Sequence, residues 1–181
     1  MKLNTLFVAS VCAAALFASC NPKTATENQL KYTHTSLADG DAFHFFQVVG
    51  GKLVFEADYA ASVEKSASSD KDKQLAAKVK EVYGAILPVF DSLATANQVD
   101  FPIKGAAKFT EVAADSTHAA TAHTADYAQH VQHETAVVKD LFERLSHNTN
   151  VGLRNFAAEN LEKIAEIYTL AGGKAEAHAH H

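Results

Sequence analysis

From residue 40 onward, apolar residues recur every three to four positions in four separate stretches, and no stretch alternates as a half-buried strand would. The first runs from about Asp41 to Ala67, with Ala42, Phe46, Val49, Leu53, Glu56, Ala60, Val63 and Ala67 on one face. Gly50 and Gly51 interrupt it, at about 1 kcal/mol each relative to alanine, so a close helix crossing or a local bend is expected there. The second follows the cap candidates of "SASSD" and reaches about Asn97, with Leu75, Val79, Val82, Ile86, Val89, Leu93 and Ala96 inward, broadened by Tyr83, Leu87 and Phe90. Pro88 lies inside it and predicts a kink, because its ring presses on the carbonyl four residues back. The third spans about Thr121 to Leu145, with Ala128, Val131, Thr135, Val138, Phe142 and Leu145 inward. The fourth, about Val151 to Ala171, offers Leu153, Ala157, Leu161, Ile164, Tyr168 and Ala171, and stops at Gly172 and Gly173, a left-handed cap. Four amphipathic helices of this length predict an all-α, antiparallel four-helix bundle over residues 40–173.

The chain before the bundle has a different character. Residues 1–19 carry Lys2 and then a nearly unbroken apolar run from Leu6 to Ala18, the layout of a secretory signal too short to stay in a bilayer as a span. The run ends in "LFASC", which resembles the lipobox of bacterial lipoproteins. In that class the signal is cut before the cysteine, so Cys20 is the expected lipidation site, and residues 20–39 read as a polar, flexible tether. The acyl chains suffice for stable attachment, since each buried methylene contributes about 0.8 kcal/mol. An ordinary signal cut nearby, leaving Cys20 free, is the alternative. With Cys12 in the signal, no cysteine is left for a disulfide or thiol chemistry. Without Lys2 the charge is 15 basic against 21 acidic residues, or −6, which argues against nucleic acid as a partner.

A lipoprotein signal, a tether and two helical hairpins resemble a bacterial family of exported ferritin-like four-helix bundles of unknown function, often labelled outer-membrane proteins. The similar part covers about residues 40–172. "DYAQHVQHETAVVKDLFERL" is similar to that family's third helix and "LRNFAAENLEKIAEIYTLAG" to its last. The last helix departs from the family's pattern: Leu161 is followed by Glu162 instead of proline, and Ile167 stands about where a histidine is usual. The resemblance implies a ferritin-like fold and an envelope location, and it brings no common activity.

The candidate chemistry is sparse. Glu56 is the one charge on an otherwise apolar face, so it is either satisfied by a tyrosine or lysine at the bundle's edge or it is functional. His130 and Glu134 stand one turn apart at the shoulder of the third helix and, with Glu56, form a candidate mononuclear metal site. A di-iron centre needs Glu-x-x-His on two helices, and that motif occurs nowhere in the chain. There is no Gly-x-Ser-x-Gly elbow and no glycine-rich phosphate loop either. His178, His180 and His181, in a tail over 174–181 expected to be disordered, are a second candidate metal site, and His118 and His123 are weaker candidates. No cofactor is expected; zinc, copper or nickel are the ions these histidines would take.

These readings converge on a binding or interaction module and not an enzyme, held by lipid to the outer membrane and facing the periplasm. Its expected partners are the membrane, through the anchor, and an envelope protein. An apolar docking patch is expected near the Phe43 to Phe46 end or at the loop at Phe101. The alternative is a periplasmic divalent-metal-binding protein.

Overall fold

The structure is a computed structural model that describes residues 36–100, 109 and 127–174. The signal, Cys20, the tether as far as residue 35, Phe101, His118, His123, positions 121–126 of the third predicted helix and the tail histidines lie outside the described residues. Four helices are present: α1 over Gly40–Ser66, α2 over Asp70–Ala96, α3 over Tyr127–Leu145 and α4 over Val151–Leu170. Each well-defined start has a side-chain cap that satisfies a backbone N–H left without an intrahelical partner. Asp39 accepts from the Ala42 amide at 2.8 Å, Ser69 from Asp72 at 3.3 Å, and Asn150 from both Gly152 and Leu153. Gly172, with φ of 101°, ends α4 as the glycine pair predicted, and Gly173 lies against the Tyr168 ring.

Hydrogen bonds at one end establish how the helices run. Asn148 Nδ2 donates to Asp39 Oδ2 at 2.8 Å, Asn150 Nδ2 to Asn97 Oδ1 at 3.2 Å, and the Leu37 amide to the Asn97 carbonyl at 2.9 Å. The start of α1, the end of α2 and the α3–α4 turn therefore share that end, and residues 36–39 of the expected tether are fixed to it. It follows that α2 and α3 point the same way. Asn97 and the start of α3 at Tyr127 are therefore separated along the bundle by the length of α3, about 28 Å for 19 residues. Phe109, on the connection between α2 and α3, stacks on Tyr59 with ring centroids 4.5 Å apart and meets the edge of Phe55 at 6.0 Å. The chief packing partners are α1 with α2, α3 with α4, α1 with α3 and α2 with α4, and all four pairs are antiparallel.

The eight positions assigned to the inward face of the first helix are all buried, and Phe45 and Tyr59 join them. Phe45 contacts Phe46, Phe90, Phe142 and Phe156 at centroid distances from 4.9 to 6.4 Å, so one aromatic cluster ties all four helices together. Burial of each such ring contributes about 1.5–3 kcal/mol.

Three expectations need correction. In α2, which continues through Pro88, the buried stripe goes from Ile86 to Phe90 and Ala94, so Val89 and Ala96 are exposed and Leu93 is half-buried. Steps of four turn the stripe about 40° around the helix each time, and this carries Val89 out of the core. At Gly51, a Cβ would have no neighbour within 4 Å, so no close helix crossing explains the glycine. Of the expected Phe43 to Phe46 patch, Phe45 and Phe46 belong to the core and only Phe43 is exposed. Of the large exposed apolar residues among those described, Leu37, Phe43 and Val151 lie at the end where α1 begins, Val89 lies two turns before the end of α2, and Leu170 lies at the other end.

Candidate functional site

The antiparallel α1–α3 seam aligns successive turns of the two helices, so that residues one turn apart on α1 face residues one turn apart on α3. Lys52 is thereby set opposite Glu134, and Glu56 opposite His130. Glu56 is only 3% exposed. One of its oxygens, Oε1, lies 2.8 Å from His130 Nε2, while Oε2 has no hydrogen-bond partner among the described residues. Lys52 Nζ donates to Glu134 Oε2 in a half-buried ion pair. These four side chains, with Val48, Gly51 and Phe55, line an open cleft of about 390 Å³.

Aromatic rings close the site on the side toward the start of α3. Tyr59 sits edge-on to both Tyr127 and His130, at 5.1 and 5.4 Å. The Tyr127 hydroxyl is buried without a partner among the described residues. Deeper in the bundle, the Tyr83 hydroxyl and Thr135 Oγ1 pair at 3.2 Å. Burial pushes both phenols far above their ordinary value, and the Glu56 charge adds to the effect. Both tyrosines therefore remain neutral donors.

His130 is raised above its ordinary value, first by the hydrogen bond to Glu56. Partial burial opposes this, the Glu56 and Glu134 charges add to it, and the Lys52 charge subtracts from it. A carboxylate that holds one imidazole nitrogen orients the ring and favours its protonated form. The arrangement can thus bind, orient and exchange a proton. A carboxylate–imidazole pair alone does not make a catalytic constellation, because nucleophilic catalysis also needs an activated hydroxyl, thiol or amine next to the base. The buried Thr135 hydroxyl, also on α3, is engaged with Tyr83.

The structure thus brings Glu56 and His130 into direct contact, and the partner of Glu56 is a histidine where a tyrosine or lysine was expected. It does not complete the trio as a ligand set. Glu134 is held by the Lys52 ammonium, and among the described residues no group of three His, Cys, Asp or Glu side chains could hold a metal ion. His133 is exposed. Sequence reasoning missed Lys52 and Phe55, and marked Gly51 only as an interruption of the helix. The available signal was spacing, since Lys52 lies one turn before Glu56 as Glu134 lies one turn after His130.

No protein-family model, curated protein or solved structure matches this chain.

Proposed function

We propose that the protein is a cell-envelope lipoprotein whose helical bundle works by binding and not by catalysis, with the α1–α3 cleft as the place where a ligand is held. The observation that carries this reading is the Glu56 carboxylate, nearly sealed from water on a residue that lines an open cleft, with one oxygen on His130 and the other without a partner among the described residues. A buried carboxylate with unfilled hydrogen-bonding capacity is destabilising, and sites of that kind are retained where a ligand supplies the missing contact. The envelope assignment draws on "LFASC" and the apolar run before it. Connection of α2 to α3 by a single long crossover is the connectivity of ferritin-like bundles, which supports the ferritin-like reading of the fold. The test follows Cys20→Ser in cells: the variant should leave the membrane fraction with its bundle folded. Equal membrane retention of variant and wild type would refute the lipid anchor.

A further inference from the structure

We propose that the α1–α3 cleft binds a small molecule carrying a primary ammonium group on an apolar body, the ammonium donating to Oε2 of Glu56, which has no partner among the described residues. This rests on the reading of the cleft as a binding site and specifies what it takes.

The first argument concerns hydrogen-bonding capacity. Both bases of the cleft are already engaged, His130 Nε2 with Glu56 Oε1 at 2.8 Å and Lys52 with Glu134. Among the described residues that line the cleft, the buried side-chain atom left unpaired is an acceptor, Glu56 Oε2; the unpaired Tyr127 hydroxyl does not line the cleft. A matching ligand brings a donor, and a cationic donor makes the stronger hydrogen bond to a carboxylate oxygen. A divalent metal ion requires several converging ligands, and among the described residues no suitable group of three exists.

The second argument is Gly51. It lies in the interior of α1, where glycine weakens a helix, and a Cβ built on it touches nothing within 4 Å. Packing therefore does not require the missing side chain. Gly51 lines the cleft, and its bare backbone widens the space between Val48 and Phe55. The apolar walls suit a hydrocarbon body, and an aromatic ring such as Phe55 attracts a nearby cation through its face.

The experiment titrates four probes into the full chain: phenethylammonium, its neutral isostere phenethyl alcohol, hydrocinnamate and zinc. Binding is followed by the His130 imidazole resonances at constant pH. The same titrations are run on Gly51→Leu, which fills the cleft, and on Glu56→Gln. Phenethylammonium should bind saturably, the alcohol more weakly by roughly tenfold or more, and hydrocinnamate not at all. Gly51→Leu should abolish binding without lowering the unfolding midpoint, which shows that the fold is intact. Glu56→Gln should weaken ammonium binding by roughly tenfold. Equal affinity for the alcohol and the ammonium, or ammonium binding that persists in Gly51→Leu, would overturn the proposal. Saturable binding of hydrocinnamate or zinc that is lost in Gly51→Leu would overturn the ammonium assignment while keeping the cleft as a binding site. No response to any of the four probes would overturn both.

Discussion

Replacing His130 with alanine removes the only donor to Glu56 among the described residues and leaves a carboxylate, 3% exposed, inside an apolar seam. Deleting one partner of a fully sealed ion pair costs about 3–5 kcal/mol. Here the loss is smaller, because the His130 side chain is 37% exposed and lies on an open cleft, so truncation lets water reach Glu56. The expected cost is that of a charge-assisted hydrogen bond, about 1.5–3 kcal/mol, measured by urea unfolding at pH 6. The pH dependence has a definite sign. His130 is raised in the folded state, so the stability it adds is fully present below its unfolded value of about 6.5 and declines as pH rises through the folded value. The difference between wild type and His130→Ala should therefore shrink from pH 6 toward pH 9. Replacing both partners, as in Glu56→Leu with His130→Leu, strands no charge and should restore stability to within about 1 kcal/mol of wild type or exceed it. An unchanged His130→Ala at pH 6, a difference that grows with pH, or a double variant weaker than His130→Ala would refute the reasoning.

Two further outcomes follow from the bundle's ends. Asp39→Ala removes both the cap of α1 and the acceptor for Asn148, and should lower unfolding free energy by about 1–2 kcal/mol; a loss of only a few tenths in chemical denaturation would mean that the clamp is solvated and inert. Gly172→Ala forces a side chain into a left-handed backbone and should cost about 1 kcal/mol, seen as a lowered thermal midpoint, with no loss if α4 can end one turn earlier.

The bundle was legible because burial imposes a period on the chain. α1, α2 and α4 begin and end within a residue or two of where the pattern and the cap residues placed them. The period fails where helix rotation drifts, and this is why Val89 was assigned to the core and proves exposed. The crossover was not legible, since periodicity states where helices are and not which way they point. The site was half legible. Glu56 stood out as a charge on an apolar face, and His130 as a shoulder residue that could meet a carboxylate. The pairing of Lys52 with Glu134 depends on the register between α1 and α3, which no local pattern encodes, and it gives Glu134 a partner that the sequence did not suggest. Gly51 was noticed without its setting, because a glycine that admits a neighbouring helix and one that lines a cleft look the same in sequence.

The crossover also has a kinetic consequence. Each hairpin, α1–α2 and α3–α4, is joined by a short turn and can form from contacts close in sequence, whereas Glu56 and His130 are 74 residues apart and Lys52 and Glu134 are 82 apart. Closing loops of that size is entropically unfavourable, so such contacts form late unless many accumulate together. The cleft has one wall on each hairpin, and it comes into existence only when the two dock. A chain with both hairpins intact but undocked would keep most of its helix and have no site at all, which makes the environment of His130 a reporter of the final assembly step.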